Sequence, residues 1–129
     1  MVCVRVMLAD DHREFLACTT KLLERDFEVV GAVGDGQALV DDAVRLAPDI
    51  VVLDISMPGL NGFEAAQRLQ AAGSTAKLIF LTIHQDEEFV SAARAVGARG
   101  YVVKRRLATD LLAALREVHS GRSFFSQLE

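Results

Sequence analysis

The feature that most constrains the fold is an alternation of short apolar runs with segments of helical periodicity along the whole chain. The runs are apolar at nearly every position instead of every second one, which is typical of parallel strands buried on both faces. This pattern favours an α/β architecture, with helices packed on a central sheet. The runs predict five strands, at Val2–Leu8, Phe27–Val33, Ile50–Leu53, Leu78–Leu81 and Tyr101–Val103.

The segments between the runs predict amphipathic helices. Two of them, His12–Glu24 and Thr109–His119, place their large apolar residues on a single stripe. Asn61 is followed three residues later by Glu64, which predicts a capping box at the beginning of another helix. Gly73 stands where that helix is expected to end.

The length and the connections limit the topology. A chain of 129 residues fits one domain, and short connections with right-handed crossovers predict a doubly wound parallel sheet. The expected fold class is therefore α/β, a flavodoxin-like (βα)5 sandwich with five strands in the order 2-1-3-4-5. We assign residues 1–120 to this domain and residues 121–129 to a C-terminal tail or the beginning of a linker.

Composition and charge exclude several classes of protein. A net charge of −4 argues against nucleic-acid binding by this segment, because such surfaces cluster Lys and Arg. No apolar stretch is long enough to span a membrane and no signal peptide is recognisable, so we expect a cytoplasmic protein without membrane contact. Cys3 and Cys18 lack metal-ligand spacing, and we expect both to be buried core residues.

Polar residues follow the predicted strands at one edge of the sheet. In an open parallel sheet, ligands bind beyond the carboxyl ends of the strands. The residues at those ends are Asp10 and Asp11 after the first strand, Asp54 after the third, Thr82 after the fourth and Lys104 after the fifth. Three carboxylates placed together repel one another and favour a bound cation.

The residue types at this edge suit a phosphorylated species. Mg²⁺ prefers oxygen ligands and usually takes one or two protein carboxylates, filling its other positions with water and phosphate oxygens. Lys104 could neutralise phosphoryl oxygens, and Thr82 could donate a hydrogen bond to one of them. We therefore expect a metal site that handles phosphate.

Structural explanations for the same residues remain open. Asp10 and Asp11 could merely cap the following helix, since acidic residues are favourable at a helix N-terminus. Thr82 could be an ordinary residue at a strand end, and Lys104 could belong to a solvated turn. Asp54 ends a buried run with no helix immediately after it, so a functional role is the simpler explanation there.

Other residues allow two interpretations each. His12 and His84 have no partners at ligand spacing, and we expect both at the rim of the crevice. Tyr101, the only tyrosine, is either a core residue or a moving aromatic side chain. Phe124 and Phe125 are either exposed anchors or residues that pack back on the last helix.

With these residues together, nearly the whole chain resembles the receiver domains of two-component response regulators. The matching segments are Leu8–His12, Val52–Gly62, Leu81–Thr82 and Gly100–Lys104. The Asp-Asp-His opening, the stretch Thr82–Glu88 and the ending Ser120–Arg122 are most similar to the NarL/LuxR-type subgroup. Members of that subgroup usually continue into a helix-turn-helix DNA-binding domain, so we expect DNA contact only through a domain that this chain does not contain.

The resemblance implies that Asp54 accepts a phosphoryl group from a phosphohistidine of a sensor histidine kinase. It further implies that Asp11, Asp54 and the backbone carbonyl of Ser56 bind Mg²⁺ directly, with Asp10 acting through a water molecule. Homodimerisation through the first and last helices is an expectation at the level of the family. On this basis the chain is not an enzyme acting on other substrates, because it catalyses only its own phosphorylation and dephosphorylation.

The resemblance also assigns the switch. Thr82 and Lys104 would bind phosphoryl oxygens, and Tyr101 would turn inward as Thr82 is drawn toward the phosphate. Two residues depart from the family pattern: Arg105 stands where many receivers have Pro, and Ile83 is bulkier than the usual small residue. These departures leave open a degenerate receiver that acts as a phosphorylation-independent binding or dimerisation module.

A third class, a small flavodoxin-like enzyme, is disfavoured by two features. The related aspartyl phosphatases would carry a second acid two residues after the nucleophile, where this chain has Ser56. No glycine-rich phosphate loop follows any predicted strand.

Overall fold

The computed structural model describes residues 3–126, in which strands and helices alternate along the chain. The strands are β1 (Arg5–Ala9), β2 (Glu28–Val33), β3 (Ile50–Leu53), β4 (Lys77–Thr82), β5 (Gly100–Val103) and β6 (Phe124–Phe125). The helices are α1 (Arg13–Glu24), α2 (Gly36–Leu46), α3 (Gly62–Ala71), α4 (Glu87–Ala95) and α5 (Leu107–His119). A 3₁₀ turn, Lys104–Arg106, joins β5 to α5.

Within residues 3–126 the six strands form one sheet in the order β2-β1-β3-β4-β5-β6, and all neighbouring pairs are parallel. The predicted fold class and the order of the first five strands are confirmed. The prediction of five strands is wrong, because Phe124 and Phe125 pair with Gly100 and Tyr101 at the outer edge of β5. A strand of two residues is too short to show any periodicity in the sequence.

The predicted C-terminal tail therefore contributes to the sheet over part of its length. Gly121 has a φ of +94°, a left-handed conformation that glycine adopts without strain and that turns the chain after α5. Phe124 then packs with the apolar cluster on one face of the sheet and Phe125 with the cluster on the other. Val2 of the predicted first strand and residues 127–129 of the predicted tail lie outside the described residues.

Alternate residues of each strand enter two separate hydrophobic clusters. Met7 and Ala9 of β1 pack with α2, α3 and α4, whereas Val6 and Leu8 pack with α1 and α5. All four are at most 2% exposed. Burial on both faces explains why the strands are apolar at nearly every position.

The helix signals in the sequence are borne out at several positions. Asn61 and Glu64 form the predicted capping box, with both hydrogen bonds at 2.9 Å. The stripe of α5 is buried as predicted, at Leu111, Ala114, Leu115 and Val118. None of the helices within residues 3–126 has the length and apolar character needed to cross a membrane.

The prediction that both cysteines are buried is wrong. Cys3 and Cys18 are exposed. Cys18 lies on α1 beside the buried stripe that contains Thr19 and Leu23, so its side chain is on the solvent side of the helix. Local apolar composition does not distinguish these two sides of an amphipathic helix.

Candidate functional site

The register of the sheet places the polar residues at one edge. β1 and β3 are neighbours, with Ala9 opposite Leu53, so the residues that follow them are adjacent. The backbone N–H of Asp54 donates to the carbonyl of Ala9 at 3.0 Å, which continues the ladder to the phosphoacceptor candidate. Asp10 and Asp54 thus leave the sheet side by side.

The three carboxylates form the acidic cluster, defined by Asp10, Asp11 and Asp54. One oxygen from each lies within 4.8 Å of the others. Asp10 and Asp54 are only 4% and 5% exposed, whereas Asp11 is exposed. Hard oxygen donors at this spacing, two of them desolvated, suit a divalent cation such as Mg²⁺.

Lys104 supplies a positive charge to this cluster. Its Nζ lies 2.7 Å from Oδ2 of Asp10 and 2.9 Å from Oδ2 of Asp54, and 4.5 Å from the ring centroid of Phe15. Burial alone would lower the pKa of Lys104, but hydrogen bonds and charge interactions with Asp10 and Asp54 outweigh it and raise this pKa above its ordinary value. One ammonium against three carboxylates still leaves an excess of negative charge.

The loop after β3 holds Asp54 tightly. The N–H of Ile55 donates to Oδ1 of Asp54 at 2.6 Å, and the N–H of Gly62 donates to the carbonyl of Ile55 at 2.7 Å. A β-carbon at position 62 would overlap the carbonyl oxygen of Asp54, which explains the glycine at the first position of α3. Both oxygens of Asp54 are therefore oriented, Oδ1 by Ile55 and Oδ2 by Lys104.

The two predicted switch residues meet at His84. The Oη of Tyr101 donates to the carbonyl of His84 at 2.8 Å, and the N–H of His84 donates to Oγ1 of Thr82 at 3.3 Å. Tyr101 and Thr82 are both fully buried, so Tyr101 is already in the inward position in this conformation. Burial first, and then the negative charges of Asp54 and Asp86, raise the pKa of Tyr101 to about 12.

The rim of the site is built from the connections that follow β3, β4 and β5. The side chains of Ser56 and His84 are joined by a 3.0 Å hydrogen bond, and the His84 ring stacks on Phe89 at 4.3 Å between centroids. Arg105 donates to Oε1 of Gln85 at 3.0 Å from Nη2. These bonds tie the connection after β4 to the connections after β3 and β5.

An open cavity of about 530 Å³ lies over the acidic cluster and is lined in part by Phe15, Ser56 and Ile83. Ile83 is 68% exposed, so it stands at the mouth of the cavity and does not fill it. A phosphoryl group would have room above Asp54, beside Lys104.

The predicted site residues are not all in direct contact. Asp10, Asp11, Asp54 and Lys104 come together, while Thr82 contacts the backbone of His84. The capping explanation for Asp10 and Asp11 is realised only in part, because the N-cap of α1 is His12, whose Nδ1 accepts from Phe15. Asp10 accepts the N–H of His12 through Oδ1 and faces Lys104 through Oδ2.

Sequence reasoning missed two contacts across the rim. The bond of Ser56 with His84 and the bond of Arg105 with Gln85 join residues that are 28 and 20 positions apart. The sequence placed His84 at the rim, and the structure confirms this, but nothing in the sequence indicates which side chain it meets. Such contacts depend on loop conformation, for which periodicity carries no information.

Comparison with known proteins identifies relatives of this arrangement. The family described as "Response regulator receiver domain" matches residues 6–116. The transcriptional regulatory protein DegU of Brevibacillus brevis is 33% identical over 123 residues, which are 94% of this chain and 52% of DegU. The chain thus spans about half the length of the curated relatives it matches, among which are NarL- and NarP-named response regulators.

Solved structures agree with this assignment. A LuxR-family two-component response regulator from Aurantimonas sp. SI85-9A1 has a TM-score of 0.89 and 32% identity, over 95% of this chain and 89% of that chain. A structure of the response regulator RcsB in complex with DNA has a TM-score of 0.90 and 28% identity, over 98% of this chain and 65% of that chain. The predicted resemblance to NarL/LuxR-type receivers is confirmed.

Proposed function

We propose that this chain, which belongs to the response regulator receiver domain family, accepts a phosphoryl group on Asp54 and thereby controls the output of a two-component system. The observation that carries the proposal is the surroundings of Asp54. Its carboxylate is 5% exposed, lies within 4.8 Å of two further carboxylates and is paired with Lys104 at 2.9 Å. A purely structural acid would not need this concentration of charge.

Asp54 acts as the nucleophile in this proposal. One of its oxygens forms a bond to the phosphorus of a phosphohistidine on a sensor histidine kinase, while the phosphorus–nitrogen bond breaks and leaves its electron pair on the imidazole. The products are an acyl phosphate and a free histidine. Lys104 neutralises charge on the phosphoryl oxygens, which is the kind of contribution on which phosphoryl transfer mainly depends.

The acidic cluster also has the donor set for Mg²⁺. Asp11, Asp54 and the backbone carbonyl of Ser56 would hold the ion directly, and Asp10 would act through water. When bound, the ion would neutralise charge on the phosphoryl oxygens.

The switch is a shift between two populations of one fold. The phosphoryl group favours the conformation in which Thr82 donates to it, and Thr82 then exchanges its contact with the N–H of His84. Since Tyr101 donates to the carbonyl of the same residue, its buried position and the Thr82 contact are linked through His84. The rearrangement would extend over the last two βα units.

We infer the output and the partners from the family and from the share of its relatives that this chain covers. A sensor histidine kinase would supply the phosphoryl group in the cytoplasm. DNA would be bound by a part of a longer protein that lies outside this chain, and regulated transcription would be the result. In that protein residues 1–120 would form the body of the receiver, and residues 121–129 would add β6 to its sheet and lead toward the output domain. Two receivers could pair through α1 and α5, and the domain would act catalytically only on its own aspartyl phosphate.

The two departures from the family pattern do not favour a degenerate receiver. Ile83 is 68% exposed at the mouth of the cavity, and Arg105 is occupied with Gln85 at the rim. Neither side chain pairs with Asp54. A phosphoacceptor is therefore the better supported function.

The test is phosphoryl uptake measured by intact mass. The wild-type chain is incubated with Mg²⁺ and a small-molecule phosphodonor, and we expect a mass increase of one phosphoryl group that peptide mapping assigns to Asp54. Asp54→Ala should show no increase. Asp49→Asn, a change just before the amino end of β3, is the matched control and should be modified like the wild type. Equal modification of the wild type and Asp54→Ala would overturn the proposal.

A further inference from the structure

A third buried carboxylate, Asp110, lies outside the acidic cluster in the first turn of α5 and is 6% exposed. Its Oδ2 accepts from Nε of Arg106 at 2.9 Å, and its Oδ1 accepts from the Thr109 hydroxyl at 3.1 Å. A negative charge is favourable near a helix N-terminus, but burying one is costly unless it is fully paired. None of the reactions proposed above uses this residue.

The partner that completes the pairing is Ser126, which directly follows the sixth strand. The hydroxyl of Ser126 donates to Oδ2 of Asp110 at 2.7 Å and accepts from the N–H of Val103 at 3.4 Å. The N–H of Ser126 donates to the carbonyl of Tyr101 at 2.8 Å. The end of β6 is therefore fastened to β5 at two residues and to α5 through one carboxylate.

The bonds to Asp110 are charge-assisted. Burial acts to raise the pKa of Asp110, but hydrogen bonds from Arg106, Ser126 and Thr109 outweigh it and lower the pKa below its ordinary value. The carboxylate is thus ionised at neutral pH. Breaking one of its bonds would leave a buried charge with fewer partners, which makes a single concerted arrangement favourable.

The same carboxylate is tied to the element that carries Lys104. Arg106 and Lys104 are the two ends of one 3₁₀ turn of three residues, and Val103 directly precedes it. The turn is thus held at one end by the pairing of Lys104 with Asp54 and at the other by the pairing of Arg106 with Asp110. A displacement of the backbone of Lys104 would therefore displace Arg106 and its pairing with Asp110 as well.

β6 has an independent contact with the switch. The ring of Phe125 stacks on that of Tyr101, with centroids 6.5 Å apart and planes 7° from parallel. The guanidinium of Arg94, in α4, lies 3.7 Å from the centroid of Phe125. The sixth strand therefore contacts both α4 and the aromatic switch residue.

We propose that Asp110 is a positioning residue that couples the Lys104 turn to β6, so that a phosphoryl group on Asp54 changes how firmly the segment after α5 is held. This inference rests on the proposed function for its trigger. The inference adds a measurable consequence of phosphorylation at the end of β6. The contacts run from Asp54 to Lys104, along the 3₁₀ turn to Arg106, and then through Asp110 to Ser126. Under the proposed function, the segment after α5 leads toward the output domain.

The test is backbone hydrogen exchange at Phe124 and Ser126, measured by NMR on the whole chain. These amides donate to the carbonyls of Arg99 and Tyr101 and so report the pairing of β6 with β5. Addition of Mg²⁺ and beryllofluoride, a phosphoryl mimic, should change the two exchange rates in the wild type by about fivefold or more, the usual lower range for coupled sites. In Asp110→Asn the change should fall below about twofold.

Two variants separate coupling from a merely structural role. Thr109→Ala removes a donor to Oδ1 of Asp110 but keeps the bonds of Oδ2 with Arg106 and Ser126 that carry the coupling, so it should respond like the wild type. Ser126→Ala keeps the backbone amide that is measured but loses the hydroxyl, so it should lose the response to beryllofluoride as Asp110→Asn does. If Asp110→Asn fails to fold, Ser126→Ala tests the coupling in its place. A response equal to that of the wild type in either Ser126→Ala or a folded Asp110→Asn overturns the proposal.

A last arm needs no phosphoryl mimic. Lys104→Gln breaks the pairing with Asp10 and Asp54. In the otherwise wild-type chain we expect it to change the exchange rate of the amide of residue 126 several-fold. In a chain that also carries Ser126→Ala, we expect it to leave that rate unchanged. If Asp54 takes up no phosphoryl group, the proposed function fails while this arm still decides the coupling. Equal effects of Lys104→Gln with and without the Ser126 hydroxyl overturn the coupling even when Asp54 is phosphorylated.

Discussion

The amino and carboxyl ends of the strands form two edges of the sheet, and both edges carry lysine and aspartate side chains with different partners. At the amino edge, Lys77 donates from Nζ to the carbonyl of Val118 at 3.2 Å, and Asp49 accepts the N–H of Arg5 at 2.8 Å. These charges are satisfied by the backbone. At the carboxyl edge, Lys104 is instead shared between Asp10 and Asp54, and the third acid, Asp11, is exposed beside them.

The candidate site is distinguished from the amino edge more clearly by its charge pairing than by its cavity. The amino edge has a hollow of about 390 Å³ lined by Asp49, Lys77 and His119, and the carboxyl edge has one of about 530 Å³. The two volumes are comparable. What distinguishes the carboxyl edge is an excess of desolvated negative charge, which is unfavourable until a cation or a phosphoryl group is present.

The largest expected effect compares the two lysines. Lys104→Ala should slow phosphoryl uptake from a small phosphodonor by about 100-fold or more, since it removes a donor aimed at the developing charge. Lys77→Ala should leave the rate unchanged and lower the free energy of unfolding by about 1 kcal/mol, because it removes hydrogen bonds to the end of α5. Rates come from intact mass against time, and stabilities from denaturant unfolding.

A loss of folding in Lys104→Ala would imitate a loss of chemistry. Removal of one partner of a buried ion pair typically costs about 3–5 kcal/mol, so the rate is taken only under conditions where circular dichroism shows a native spectrum. Lys104→Arg keeps the charge with a different geometry and should recover stability more than rate. Equal rates in the two alanine variants would contradict the distinction between the edges.

The acidic edge could be predicted from sequence because its geometry follows from the topology. Once the apolar runs are recognised as parallel strands, the residues after β1, β3 and β5 must meet at one edge, whatever the loops do. Asp10, Asp54 and Lys104 are therefore fixed by pattern alone. Asp11 follows because it is adjacent to Asp10.

The contacts of Asp110 and Ser126 could not be predicted in this way. In the sequence, Asp110 is an acid near the N-terminus of a predicted helix, a common position for an acid that indicates no partner. The two residues of β6 are too few to show the alternation of a strand. Their pairing arises because Gly121 turns the chain back along β5, which brings Ser126 to a residue 16 positions earlier. Long-range side-chain partners of this kind are set by tertiary structure, not by local periodicity.

A smaller effect tests the acidic cluster as a cation site. Mg²⁺ at about 100 times its dissociation constant should raise the Tm of the wild type on the order of 5–10 °C, through binding to the folded state alone. Asp11→Asn should lose most of this rise, because it removes the negative charge of the exposed carboxylate ligand. Asp49→Asn, at the amino edge, should retain it, and thermal unfolding followed by circular dichroism with and without Mg²⁺ measures all three.

In the absence of Mg²⁺ we expect Asp11→Asn to be at least as stable as the wild type. Asp11→Asn removes one of three mutually repelling carboxylates and should melt at or above the wild-type temperature. A fall in its Tm without Mg²⁺, together with an undiminished rise on adding the ion, would place the cation elsewhere.

The smallest effect is a change in the titration of Tyr101, which senses the charge at the acidic edge. The chain has one tyrosine and no tryptophan, so near-ultraviolet absorbance reports this residue alone. Burial and then the charges of Asp54 and Asp86 raise its pKa from 10.0 to about 12. Asp54→Asn should lower this pKa by less than about one unit, because burial remains, and Asp49→Asn should leave it unchanged.

The sign of the pH dependence follows from the direction of that shift. The neutral phenol is favoured in the folded state, so the unfolded chain ionises first, near its ordinary value of 10.0. The contribution of Tyr101 to the free energy of unfolding is therefore complete below pH 10 and is lost as the pH rises from 10 toward about 12. Denaturant unfolding across this range should show a smaller total loss of stability, ending at a lower pH, in Asp54→Asn than in Asp49→Asn. Identical total losses would mean that the pKa of Tyr101 responds to burial alone and not to the charge of Asp54.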